Sequence, residues 1–470
     1  MTHMHVAGSI HADATAAPVW LVKPTDANEL VEGLWSGTVA RSGEGELRIG
    51  GLTASEIVEQ VGSPVYVIDE VDFKGRALTW REAFHDWHIY YASKSFLSGT
   101  VARWIDEQGL GLDVASMGEL TVALRAGFDP ARIAMHGNNK SEDELRLALT
   151  SGVGRIVVDS SDEIGRLERL TAELGTRAQV LIRVTTGVEA HTHEYIATAH
   201  EDQKFGFSIS GGQALVAMVR CHGSANLELM GIHSHIGSQI FDTNGFEVAA
   251  RRTLRLMAQF KEATGVSLPE LDLGGGFGIA YTIDDRPATA HELAKNLTEI
   301  VDHECRAFGL ARPTLAIEPG RAISGPPGTA LYTVGTVKNV EIGGGQVRRY
   351  ISVNGGMSDN IRPALYAAEY SAVLANRAST EPPVLSRVVG LHCEGGDILV
   401  RDVFLPGDVA PGDLLAVPAS GAYSRSMASN YNHTPRPPVV SVRDARITTM
   451  IRRETLDDLL ALDAGLDETV

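Results

Sequence analysis

The sequence predicts an α/β fold: an eight-stranded parallel (β/α)8 barrel with a second, discontinuous β domain. Three observations predict it. From about Trp80 to Gly320, short β-rich runs alternate with amphipathic stretches of helical period. The runs number eight, the count that closes a barrel. After Gly320 the helical stretches give way to β-runs separated by turn residues.

The eight runs are His88 to Lys94, Leu110 to Ala115, Arg132 to His136, Arg155 to Asp159, Gln179 to Thr185, Glu228 to His235, Glu270 to Gly274 and Thr314 to Glu318. Helices are expected between them, among others over Ser141 to Leu149, Ser161 to Leu174 and Phe246 to Ala263. Ser141 and Ser161, each followed by acidic residues, read as N-caps, where a hydroxyl satisfies an orphan amide and negative charge meets the helix dipole. Beyond Gly320 the runs are Leu331 to Glu341, Val347 to Val353, Arg387 to Leu391, Ile398 to Leu405, Leu414 to Pro418 and Val439 to Met450, which suit an antiparallel sheet or barrel. A hairpin over Thr38 to Leu52, turning at Gly43-Glu44-Gly45, could join that sheet. The expected limits are 1–65 for this N-terminal segment, 66–330 for the barrel and 331–470 for the β domain. From Leu456 a short acidic helix or frayed end is expected.

The chain has 470 residues, 44% of them hydrophobic, enough to bury a large core. Its net charge of −18, from 59 acidic against 41 basic residues, opposes nucleic-acid binding. No stretch approaches the roughly 18 apolar residues of a membrane span, and the N-terminus lacks an export signal. Cys221, Cys305 and Cys393 are too few and scattered for a disulfide framework, which suits the cytoplasm.

Barrels of this kind carry their chemistry at the C-terminal ends of strands. Lys94, Asp113, His136, Arg183, His235, Gly274-Gly275-Gly276 and Glu318 all lie at predicted strand ends. Any one could be an ordinary solvated or structural residue; their shared location is the signal. Lys94 follows a run buried on both faces, so burial is expected to lower the pKa of its amine and let it form an imine with an aldehyde such as that of pyridoxal phosphate. The glycine run lets amides approach an anion, and Glu318-Pro319-Gly320-Arg321 adds a guanidinium where barrels often bind phosphate, although a tight turn needs glycine anyway. Glu318 could instead hold a pyridine nitrogen protonated. Of His233 and His235 only one is expected to face the barrel axis; His235 suits a cofactor ring and His233 packing. No metal site is expected, there or at His191 and His193, which lie in a polar loop over Gly187 to Lys204 that reads as a mobile cover.

In the β domain, Cys393-Glu394 in a glycine turn could supply a proton donor, although a lone cysteine is more often a buried small hydrophobe. Arg362 and Tyr366, one helical turn apart, suit a carboxylate, and Tyr423 lies in a second turn.

Taken together, Tyr91-Ala92-Ser93-Lys94, His136-Gly137-Asn138-Asn139-Lys140, His235-Ile236-Gly237-Ser238-Gln239, Gly274-Gly275-Gly276-Phe277, Glu318-Pro319-Gly320-Arg321, Met357-Ser358-Asp359-Asn360, Arg362-Pro363-Ala364-Leu365-Tyr366, His392-Cys393-Glu394 and Gly421-Ala422-Tyr423 resemble the alanine-racemase-like pyridoxal-phosphate decarboxylases, and within them the diaminopimelate decarboxylases, along almost the whole chain. The resemblance implies pyridoxal 5′-phosphate as cofactor, with Lys94 as the Schiff-base lysine, His235 against the ring, Ser238 and the glycines around Gly276 on the phosphate and Glu318 at the pyridine nitrogen. It implies Arg321, Arg362 and Tyr366 on the far carboxylate of meso-diaminopimelate, Glu394 on its far ammonium, Cys393 as proton donor and Tyr423 touching both molecules. It also implies a homodimer in which Cys393 and Glu394 enter the neighbouring site. Ser95-Phe96 and Ser358 depart from the family's commoner residues. The rival readings are a decarboxylase of ornithine, lysine or carboxynorspermidine, a racemase, and a non-catalytic regulatory homologue.

Overall fold

The computed structural model describes residues 17–187, 204–343 and 346–466. The expected cover with His191 and His193 falls outside the described residues. Two compact units form, one from the chain up to Phe73 with Ala280–Asp285 and the chain from Ser324, the other from Lys74–Ile279 and Arg286–Ile323.

The second unit is the barrel. Its strands are β1 (His88–Ala92), β2 (Gly111–Val114), β3 (Ile133–Met135), β4 (Arg155–Val158), β5 (Ala178–Thr185), β6 (Leu227–Ser234), β7 (Glu270–Asp272) and β8 (Thr314–Ile317). All neighbours are parallel, in the order β5-β6-β7-β8-β1-β2-β3-β4, and β4 pairs with β5 to close the ring. All eight expected strands are present, most one or two residues shorter at their C-terminal ends, so Lys94, His136, His235, Gly274–Gly276 and Glu318 sit just past the strands, while Asp113 and Arg183 lie within the last residues of β2 and β5. The strands are apolar runs because barrel strands are covered on both faces, by the packed interior and by helices. Ser141 caps its helix in a reciprocal box with Glu144. The next helix is capped by Ser160, whose side chain accepts from the Glu163 amide, and Ser161 is its first residue. Both serines precede acidic residues, so composition alone did not separate them.

In the first unit the large sheet runs Ile398–Pro406, Pro383–Val389, Gln346–Val353, Gly328–Gly343, Val65–Asp69, Val439–Arg443, Arg446–Ile451. It is mixed rather than antiparallel throughout: Gln346–Val353 with Pro383–Val389, and Val65–Asp69 with Val439–Arg443, are parallel pairs. The run Val439 to Met450 is two strands, because Asp444 and Ala445 adopt left-handed φ of 50° and 57° and turn the chain back. The N-terminal hairpin forms its own three-stranded sheet. Its Leu47, Ile49 and Leu52 share a core with Val65, Val67, Leu331 and Val440, so it belongs to the β domain through packing, and Val65–Asp69 is the strand that enters the large sheet.

Candidate active site

Strand β1 ends at Ala92 and the chain turns through one 3-10 turn, Ser93–Ser95. Ser95 Oγ donates to the Ala92 carbonyl at 2.9 Å, and Tyr91 Oη donates to the Phe96 carbonyl at 2.6 Å, fixing the turn. Ser93 and Ser95 are buried while Lys94 is exposed. The turn places Lys94 just past the end of the buried strand. Its charge is felt at Asp113, Glu119 and His235. Gly320 packs against this turn, since a Cβ there would lie 2.8 Å from the Ala92 Cβ.

Glu318, 4% exposed, is the electrostatic centre of the barrel mouth. His136 Nε2 lies 2.9 Å and His233 Nε2 3.3 Å from its carboxylate, and Asp113 lies 3.7 Å from His136. Burial alone would raise Glu318, but the two imidazoles outweigh it and hold the carboxyl well below its usual range. Burial pushes His233 down to about 4. His136 moves the other way, because Asp113 and Glu318 together overcome the effect of its burial. Burial raises Asp113 despite His136. The expectation that only one of His233 and His235 reaches the site is overturned: residues two apart on a strand share a face, so both point inward. His136, His233 and Glu318 are groups of metal-binding type brought together, which the sequence did not foresee. His233 hydrogen-bonds Glu318 and His136 pairs with it by charge, so the trio reads as a charge cluster.

His235 is half-buried after β6 and accepts at Nδ1 from the Gly275 amide at 3.2 Å, which fixes its hydrogen on Nε2. Burial, then the Lys94 charge, holds it well below its usual pKa and neutral. The Gly274 amide is likewise engaged, by Asp272 Oδ1 at 2.8 Å. The Gly276 amide donates to no protein group among the described residues. The glycines are required by packing: a Cβ at Gly274, Gly275 or Gly276 would meet the carbonyls of Ser234, Glu318 or Gly237 at 2.3, 2.3 and 2.5 Å. Arg321, 7% exposed, donates from Nη2 to Ser238 Oγ at 2.9 Å, bringing a guanidinium and a hydroxyl together. Arg183 lies 3.8 Å from Asp159 with its guanidinium 4.3 Å from the Phe205 ring centre. Behind β3, Lys140 is buried and donates to Glu163 at 2.7 Å and to the carbonyls of Gly137 and Val157, clamping the loop after His136. These residues fit pyridoxal 5′-phosphate: an amine for its aldehyde, a buried anion for its pyridine nitrogen, an imidazole for its ring, and an amide, hydroxyl and guanidinium for its phosphate.

In the other unit Cys393 is exposed, unlike the buried Cys221 and Cys305, so the small-hydrophobe alternative does not describe it. Its turn is held by His392, whose ring nitrogens meet Ser358 Oγ at 2.8 Å and Asn432 Oδ1 at 3.0 Å, and by Asp397, which accepts from the His392 and Met357 amides. Glu394 is also exposed and accepts from Tyr431 Oη. Arg362 is buried and donates to Tyr370 Oη, and its guanidinium lies 4.7 Å from the Tyr281 ring centre. The aromatic partners of Arg362 are thus Tyr281 and Tyr370, which sequence spacing could not reveal. Tyr366 is half-buried at the end of the Arg362–Tyr366 helix, and Tyr423 is half-buried with a φ of 60°.

The closed barrel, with Lys94 and Glu318 at its mouth, defines the class of barrel-type pyridoxal-dependent decarboxylases, and residues 70–325 match the family described as pyridoxal-dependent decarboxylase, pyridoxal binding domain. The diaminopimelate decarboxylase of Mycobacterium tuberculosis is 50% identical over 439 residues, 92% of this chain and 98% of that protein. That of Bacillus subtilis is 46% identical over 431 residues, 91% of this chain and 97% of that protein. Among solved structures, the diaminopimelate decarboxylase of M. jannaschii in complex with L-lysine superposes with a TM-score of 0.84 at 30% identity, covering 91% of this chain and 98% of that one. The chain belongs to the diaminopimelate decarboxylases.

Proposed function

We infer that this chain removes carbon dioxide from meso-2,6-diaminopimelate to give L-lysine, the closing step of lysine biosynthesis, with pyridoxal 5′-phosphate as cofactor. The carrying observation is the near full-length match to diaminopimelate decarboxylases, which spans both units. The cofactor supplies an electron sink for the carbon that loses its carboxylate. Lys94 holds its aldehyde carbon, and its exposure leaves that amine accessible to an incoming amino group. Glu318 keeps the pyridine nitrogen protonated; His136 and His233 support this by keeping Glu318 ionised. His235, neutral and fixed by the Gly275 amide, covers one ring face. The Gly276 amide, Ser238 and Arg321 take the phosphate, within the packing provided by Gly274, Gly275 and Gly320. Asp113 and Arg183 complete the polar wall.

The distal amino-acid group separates this substrate from ornithine or lysine, whose chains end in an amine alone. We assign its carboxylate to Arg321, Arg362 and Tyr366, since a guanidinium with a phenol suits a carboxylate. Its ammonium goes to Glu394. Cys393 delivers the proton that replaces the lost carboxylate, and Tyr423 contacts cofactor and substrate. A homodimer in which Cys393 and Glu394 serve the partner's site accords with their exposure. The free cysteines suit the cytoplasm, and among the described residues no helix is long and apolar enough to cross a membrane.

Comparing kcat/KM on meso-diaminopimelate, L-ornithine and L-lysine, with pyridoxal phosphate present, tests the substrate assignment. Strong preference for diaminopimelate is expected. Preference for either amine-terminated substrate overturns it.

A further inference from the structure

Asp272, at the end of β7, is 1% exposed. Its Oδ1 accepts from the Gly274 amide at 2.8 Å, while its Oδ2 is buried with no protein donor among the described residues. No basic side chain among the described residues forms an ion pair with it; the two nearby imidazoles are both directed at Glu318. Strands β7 and β8 pair with Asp272 opposite Ala316, so Glu318, two residues further on, projects to the same face. The Glu318 amide donates to the Gly274 carbonyl at 2.9 Å, tying Glu318 to the residue that Asp272 caps. Glu318 Oε1 is, like Asp272 Oδ2, a buried oxygen with no hydrogen-bond donor among the described residues, and the Glu318 charge acts on Asp272. Two buried carboxylates side by side on one face resist ionising together, and a proton between them converts repulsion into a strong hydrogen bond.

We propose that Asp272 is a proton-bearing carboxylic acid that donates to Glu318, so that the two residues share one proton and Asp272 fixes the orientation in which Glu318 meets the cofactor. The environment decides which partner keeps the proton. Burial and the charge of Glu318 push Asp272 well above the carboxylate range, whereas His136 and His233 hold Glu318 well below it. Asp272 is therefore a positioning residue: it touches neither cofactor nor substrate, and it acts through Glu318. Its effect on the cofactor rests on the proposed role of Glu318. The proton itself does not, and it is present whatever the protein decarboxylates.

The proton is read by infrared difference spectroscopy of the folded protein, with and without pyridoxal phosphate, at about pH 8. The wild type is expected to show a protonated-carboxyl carbonyl stretch that Asp272→Asn lacks, in both states. Identical spectra in that region overturn the proposal. The positioning role is read from the pH titration of the bound cofactor's visible absorbance. Asp272→Leu, which cannot donate, shifts that titration, and Asp272→Asn, which donates from its amide, brings it back toward the wild type. If Leu and Asn give the same titration as the wild type, Asp272 does not act through Glu318. Should Asp272→Leu fail to fold, the carboxyl stretch compared between wild type and Asp272→Asn decides alone.

Discussion

Asp359 gives a stability prediction that follows from burial alone. It is 1% exposed, its Oδ2 accepts from the Gly356 amide at 2.9 Å, and no basic group pairs with it among the described residues. Burial pushes its carboxyl from the ordinary 3.8 up to about 7. The folded state therefore holds a proton that the unfolded chain has released between those values, so the stability it contributes is full below about pH 4 and is lost as pH rises through 7. The whole window is worth roughly 4 kcal/mol, of which roughly 2–3 kcal/mol falls between pH 5 and pH 8. Asp359→Asn cannot ionise yet still accepts from Gly356. Its stability relative to the wild type should therefore rise by about 2–3 kcal/mol on going from pH 5 to pH 8. Urea unfolding of both cofactor-saturated proteins at the two pH values, followed by circular dichroism, measures this double difference, which cancels the other titrating groups. Parallel curves, with the same difference at both pH values, refute the reasoning.

Lys94→Ala should abolish covalent attachment of the cofactor after borohydride reduction, read by mass spectrometry. Lys140→Met leaves the buried Glu163 without its cation and should destabilise the protein by roughly 3–5 kcal/mol, visible as an earlier urea midpoint. Arg362→Ala should raise KM for diaminopimelate by tenfold or more, about the value of one charge-assisted contact, while the affinity for pyridoxal phosphate stays the same.

The barrel was legible because strands covered on both faces must be apolar runs and their connecting helices must carry caps; both patterns survive in the sequence. Val65–Asp69 is just such a run, buried at all five positions, but its partners lie near Gly328 and Val439, which local pattern cannot reveal. The turn at Asp444-Ala445 carries no glycine, so nothing marked the break in what looked like one strand. At the site, the residues just past strand ends were legible as a set. Their supporting groups were not. Asp272 reads as a strand-end acid, Lys140 as a loop lysine, and Tyr281 and Tyr370 as ordinary aromatics until folding brings them to Glu318, Glu163 and Arg362 respectively. His233 was recoverable in principle, since period two puts it on the face of His235. Lys94 was legible from its position just past the apolar run His88–Ala92.

The central claim is a cofactor-dependent decarboxylation of one substrate. Incubating the purified protein with carboxyl-labelled meso-diaminopimelate, with and without pyridoxal phosphate, and measuring labelled carbon dioxide and L-lysine together tests it most directly. The account predicts equal amounts of both products, dependent on the cofactor and on Lys94. Cofactor-loaded protein that leaves diaminopimelate intact, or that changes its stereochemistry without releasing carbon dioxide, contradicts it.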